Sequence, residues 1–130
     1  MKILLCAINA KYIHSNLAVY SLKAYAQKYQ DQIEIAEFTI NHYVEDIMEA
    51  LYKKKPDLLA FSCYIWNLEF VKKLIREIHK LLPDTVIWAG GPEVSYDAVS
   101  FLEEMPQADG VMTGEGERSF LSLLEYYVDG

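Results

Sequence analysis

Thr85-Val86-Ile87-Trp88-Ala89-Gly90-Gly91-Pro92-Glu93 decides how this chain is read. A β-branched and aromatic run stops at two glycines and a proline. That pattern predicts a buried strand over Thr85 to Ala89, delivering a glycine turn to the edge of a sheet. Glycine has no Cβ, so a ligand can approach the backbone closely at Gly90 and Gly91.

Working outward, the same alternation repeats. Lys2 to Ile8 and Leu58 to Cys63 are apolar almost throughout, as expected of strands buried on both faces. Gln32 to Phe38 alternates Ile33 and Ile35 with Gln32, Glu34 and Glu37, which predicts a strand partly in water. Ala108 to Thr113 is a short fifth strand. A helix capped by Ser15 or Asn16 runs to about Tyr29. A second starts at Asn41, carries Val44, Ile47, Met48, Leu51 and Tyr52 at helical spacing, and ends at Lys53-Lys54-Lys55-Pro56. A third, capped by Asn67, carries Leu68, Val71, Leu74, Ile75 and Ile78. A weaker fourth is marked by Val99, Leu102 and Met105. Gly114-Glu115-Gly116-Glu117 opens a fifth, with Phe120, Leu121, Leu124 and Tyr127.

Five strands alternating with five helices predict a three-layer α/β/α fold around a parallel sheet. The alternating second strand suits an edge, and the apolar third does not. The expected order is therefore 2-1-3-4-5, a Rossmann-like, flavodoxin-like arrangement. One domain covers residues 1–130. The chain ends just after the last helix, as would suit a domain of a longer protein.

Composition narrows the function. A net charge of −7 argues against a nucleic-acid surface, and no apolar run approaches a membrane span. Cys6 and Cys63 form neither a metal-spaced cluster nor a disulfide framework, so a reducing cytoplasm is the expected setting. His42 and His79 are expected on helix surfaces. No acid, base and nucleophile converge, so no catalytic residue and no metal ligand is assigned. The oligomeric state is left open.

Ligands of such sheets bind outside the carboxyl ends of the strands, here expected between strands one and three. Four loops meet there: Asn9 to Ser15, Ser62 to Asn67, Gly90 to Glu93, and Gly114 to Glu117. Tyr12, Tyr64 and Trp66 on one rim, with glycines, suit a large, flat, partly apolar ligand. A phosphoacceptor site is excluded, because Ser62-Cys63-Tyr64 holds no Asp at the end of strand three. Ala10-Lys11-Tyr12-Ile13 lacks the glycines expected of a flavin phosphate loop. Gly114-x-Gly116 follows the wrong strand for a dinucleotide fingerprint.

Lys11 to Ala18, Phe61 to Asn67, Gly90-Gly91-Pro92-Glu93 and Asp109 to Glu117 together resemble the amino-terminal cobalamin-binding domain of radical S-adenosylmethionine enzymes. That group includes the class B methylases and the anaerobic magnesium-protoporphyrin monomethyl ester cyclase. The resemblance covers essentially the whole chain. It implies that cobalamin is gripped by Tyr12, His14, Ser62, Tyr64, Trp66, Asn67, Gly90, Gly91, Pro92, Glu93, Gly114, Glu115 and Gly116. It also implies a following radical barrel domain in the same longer chain, the partner that would hold S-adenosylmethionine and an iron–sulfur cluster. The cluster motif Cys-x-x-x-Cys-x-x-Cys is not in this sequence. The Asp-x-His-x-x-Gly motif is also missing. Tyr12 stands where the Asp should be and Leu17 where the Gly should be, so His14 is not assigned as a cobalt ligand. The alternative is a non-catalytic module whose exposed loop aromatics form a substrate or domain interface.

Overall fold

The computed structural model describes residues 1–10, 17–64, 66–113 and 116–130. Five strands form one wholly parallel sheet: β1 (Ile3–Asn9), β2 (Ile33–Thr39), β3 (Leu58–Ser62), β4 (Val86–Gly90) and β5 (Gly110–Met112). Their order is β2-β1-β3-β4-β5, as the sequence pattern predicts. In register, Cys6 lies opposite Ala36 and Phe61, and Ser62 lies opposite Gly90.

Period-two alternation sorts the strand residues into two cores. Leu4, Cys6, Ile8, Leu59, Phe61, Ile87 and Ala89 face α2 (Val44–Lys54), α3 (Leu68–Leu81), α4 (Pro92–Ser95) and α5 (Ala98–Glu104). Ile3, Leu5, Ala7, Leu58, Ala60 and Met112 face α1 (Leu17–Tyr25) and α6 (Gly116–Leu124). β1 is buried on both faces, whereas Glu34 on edge strand β2 reaches water.

Several boundaries differ from the sequence expectation. The first helix ends at Tyr25 instead of running to Tyr29. Ala26 leaves helical geometry at φ −88° and ψ 51°, and a 3-10 turn spans Gln27–Gln32. Ala26 and Tyr29 are both buried in the α1/α6 core, so packing outweighs helix continuation. Asn41 does not cap α2. Tyr43 holds that position without a side-chain bond, while the Asn41 N–H is donated to Thr39 Oγ1. His42 lies in the turn before α2, where its Nδ1 accepts the Thr39 N–H at 2.9 Å. β3 ends at Ser62, one residue earlier than expected, and β5 is only three residues long. The fourth helix is two pieces. Asp97, accepting the Ser100 N–H at 3.2 Å, starts α5 so that Phe101 and Met105 face the core and Val99 faces water.

Candidate functional site

On the α1/α6 face strands β3 and β4 both end in small residues at the carboxyl edge of the sheet. β3 runs Leu58, Ala60, Ser62, and β4 runs Val86, Trp88, Gly90. α1 and α6 stand over that edge but cannot close onto residues this small. A cleft of about 410 Å³ remains. Its floor is Ala60, Ser62 and Gly90, and Val19 and Leu22 of α1 form one wall. The volume falls in the range of small-molecule sites.

The two adjoining glycines serve different ends. A Cβ at Gly90 would come within 3.1 Å of the flexible end of Met112, so its missing side chain mainly leaves room over the floor. Gly91 has φ +110°, and a Cβ there would lie 2.3 Å from the Cys63 carbonyl oxygen. The cause is the Cys63 N–H, donated to the Gly90 carbonyl at 2.7 Å, which draws the two loops together. Gly91 therefore fixes the turn. Pro92 then starts α4, its missing N–H costing nothing at that position. Glu93 sits half-buried in the first turn. Ser95 Oγ donates to the Met112 carbonyl at 3.1 Å and ties α4 to β5.

Asn67 occupies the point where the strand order reverses. It precedes α3, as the sequence suggests, but its side chain does not cap the helix. The carboxamide is fully buried. Its Nδ2 donates to Ile8 O at 2.9 Å and Ser62 O at 3.1 Å, and its Oδ1 accepts the Tyr64 N–H at 2.7 Å. The expected crevice between strands one and three is thus bridged by Asn67 among the described residues. The cleft runs over Leu5 of β1, Ala60 and Ser62 of β3, Gly90 of β4 and Met112 of β5, beneath α1 and α6. Asn67 acts on the site through the loop it holds.

Tyr64 lines the cleft and stacks on Trp66, with centroids 4.6 Å apart and planes 3° from parallel. Trp66 is 45 % exposed and lies outside the cleft lining. Gly116 and Glu117 of α6 line the opposite side, and Ser21 Oγ of α1 donates to Glu117 Oε1 at 2.9 Å. Tyr12, His14, Gly114 and Glu115 lie outside the described residues.

The structure thus brings together Ser62, Tyr64, Gly90, Gly91, Pro92 and Gly116 around one opening. Sequence reasoning missed Val19, Leu22, Ala60 and Met112. The available signal was the pair Ala60 and Ser62 at alternate positions of an otherwise bulky strand. Among the described residues no cluster of His, Cys, Asp and Glu could hold a metal ion. No described helix is long and apolar enough to cross a membrane.

A three-layer parallel domain with a ligand-sized slot at the carboxyl edge of its sheet is a Rossmann-like binding module. The chain belongs to the B12 binding domain family, whose model matches residues 3–124. It is similar to the cobalamin-dependent radical SAM methyltransferase TokK of Streptomyces tokunonensis, 39% identical over 70 residues, 54% of this chain and 10% of that protein. It is 24% identical over 83 residues to the anaerobic magnesium-protoporphyrin IX monomethyl ester cyclase of Cereibacter sphaeroides, covering 64% of this chain and 14% of the cyclase. The fold matches the solved structure of the cobalamin-dependent S-adenosylmethionine radical enzyme OxsB with aqua-cobalamin and S-adenosylmethionine bound. The TM-score is 0.77 at 16% identity, over 98% of this chain and 19% of that one. The chain therefore spans 10% to 14% of the length of these two curated relatives.

Proposed function

We propose that this chain is a cobalamin-binding domain that positions the corrinoid for a radical S-adenosylmethionine domain of a longer protein. The observation that carries this reading is the open cleft over Ala60, Ser62 and Gly90. The bulky face residues Leu58, Val86 and Trp88 lie deeper in the sheet, and the small ones lie where a ligand enters. That arrangement fits the nucleotide tail of cobalamin with its planar base. Val19, Leu22 and Tyr64 provide apolar walls, and burial against them contributes about 25 cal/mol per Å².

Ser62 would hydrogen-bond the tail, and the backbone of Gly90 and Gly116, which line the same cleft, would permit close approach. Tyr64 and Trp66 would pack near the corrin or the tail base. Gly91, Pro92 and Glu93 shape the turn, and Asn67 holds the aromatic loop in place. Tyr12, His14, Gly114 and Glu115 would complete the rim. Bound cobalamin would supply the intact enzyme with a carrier for methyl transfer or a centre supporting radical cyclisation. This chain's part is to bind, orient and shield it. Trp66 or Tyr64 plugging the cleft would have favoured an interaction module instead; Tyr64 lines a cleft that still holds about 410 Å³, and Trp66 stacks on Tyr64 outside the lining.

The test is titration with hydroxocobalamin, then gel filtration and an absorbance spectrum of the protein peak. We expect co-elution with a spectrum shifted from the free cofactor. Ser62→Leu fills the cleft from its floor at a half-buried position and should abolish co-elution while leaving the thermal midpoint nearly unchanged. Failure of the unaltered chain to retain the cofactor, or equal retention by the variant, would overturn the reading.

A further inference from the structure

The cleft carries an unusual charge pattern. Among its described lining residues there is no Lys, Arg or His, and the single charged group is Glu117. Sites that hold terminal phosphates usually supply cations or a fan of donors. The described lining of this cleft presents one carboxylate among mostly apolar residues. One oxygen of that carboxylate, Oε1, accepts the Ser21 hydroxyl at 2.9 Å, which links the side chain of this cleft-lining residue from α6 to α1. Among the described residues Oε2 has no partner, and an ionised carboxylate accepts only.

From this geometry we propose that Glu117 is a specificity-determining residue of the cleft. It accepts hydrogen bonds from hydroxyl or amide N–H groups on an incoming ligand tail, and it repels tails that bring a terminal phosphate dianion to the same place. The proposal rests on the cobalamin reading and deepens it: Glu117 would read the donor groups of the nucleotide end, chiefly its ribose hydroxyls. The same carboxylate would work against flavin mononucleotide, whose phosphate ends the tail. Ser21 is then a positioning residue, acting only through Glu117.

Two probes that share the corrin ring test this: hydroxocobalamin, and aquocobinamide, which lacks the ribose, phosphate and base. Affinities are read from absorbance titrations of the unaltered chain and of Glu117→Ala, Glu117→Gln and Ser21→Ala. Glu117→Ala should weaken hydroxocobalamin about tenfold, the size expected for a hydrogen bond to a charged group, and change cobinamide less than about twofold. Glu117→Gln keeps an acceptor and should lose less. It should also bind flavin mononucleotide more tightly than the unaltered chain does. Ser21→Ala should leave the preference for hydroxocobalamin over cobinamide intact.

A purely structural link between α1 and α6 predicts otherwise. Ser21→Ala and Glu117→Ala would then weaken both corrinoids equally and lower the thermal midpoint alike, and that result overturns the proposal. If the unaltered chain binds hydroxocobalamin but Glu117→Ala keeps its preference over cobinamide, the proposal fails while the cobalamin reading stands. If the unaltered chain binds neither corrinoid, both fail.

Discussion

Asn67 shows how one side chain can set a site without lining it. Its two donors and one acceptor tie β1, β3 and the Tyr64 loop together inside the protein. Asn67→Asp replaces the donating nitrogen with an oxygen aimed at the carbonyls of Ile8 and Ser62. A buried charge that keeps only the Tyr64 N–H and faces two carbonyls costs about 3–5 kcal/mol, and urea unfolding at pH 7 should show a loss of that size. The new carboxyl would have a raised pKa in the folded state, because the carbonyls and burial disfavour its anion. Its penalty should therefore shrink as pH falls toward 4, relative to the parent at each pH. The paired glycines make a second contrast. Gly91→Ala forces a Cβ onto the Cys63 carbonyl at positive φ and should cost stability by about 2 kcal/mol or more. Gly90→Ala meets only the movable end of Met112, so its stability cost should fall below about 1 kcal/mol. It raises the cleft floor, and so should weaken hydroxocobalamin binding more than it weakens the fold. Equal thermal losses in the two variants would contradict this division of roles.

At the scale of elements, β5 is held by an aromatic clamp. Trp88 lies over Gly110, where an added Cβ would sit 2.5 Å from the indole. The indole N–H donates to the Tyr127 hydroxyl at 3.2 Å, which fastens the π-helical turn Glu125–Asp129 behind α6. Gly110→Ala should push the indole off β5, destabilise the chain by about 1–3 kcal/mol and shift Trp88 emission to the red. Measuring in a Trp66→Phe background isolates that signal, since the chain has two tryptophans. Unchanged emission would mean that the clamp does not depend on the glycine. This contact was not legible in the sequence, because it needs the β4–β5 register that places Trp88 beside Gly110. The strands were legible, since β1 and β3 are buried on both faces and they and β4 read as apolar runs. α2 and α3 were legible for the same reason, as long helices with one apolar stripe. α5 was misread because the Asp97 cap resets the period and exchanges Val99 for Phe101. The cleft was half legible. Its glycine turn is a local signal, but the floor joins Ala60 and Ser62 to Gly90 across two strands, and only the fold makes them neighbours.

Across the whole molecule, ionisation limits stability from both sides. Glu34 is held below its usual range chiefly by its hydrogen bond from Lys54, Glu104 by Lys72, and Asp129 by Tyr29 and then Lys28. Because the folded values are depressed, these carboxylates stabilise the fold above the ordinary carboxylate range, about pH 4, and the benefit is lost as pH falls through the folded values. All three groups are largely exposed, so solvent screening keeps the effect modest. The alkaline side is set by buried thiols. Burial pushes Cys63 up to about 12, and burial followed by the neighbouring Cys63 raises Cys6 further. An unfolded thiol ionises near 8.5, so above that pH the unfolded chain releases protons that the folded chain keeps. Stability should then fall as pH rises, by about 1.4 kcal/mol per pH unit for each thiol while it stays protonated in the fold. Tyr20 and Tyr29 are also raised, by hydrogen bonds to Glu37 and Asp129, but their unfolded values near 10 bring them in later. Between pH 9 and 10 the thiols should dominate, and Cys63→Ala should flatten the urea-measured slope in that window by roughly 1 kcal/mol per pH unit. An unaltered slope, or ready labelling of both cysteines in the native chain by a thiol reagent, would show that these groups are not sealed in the core.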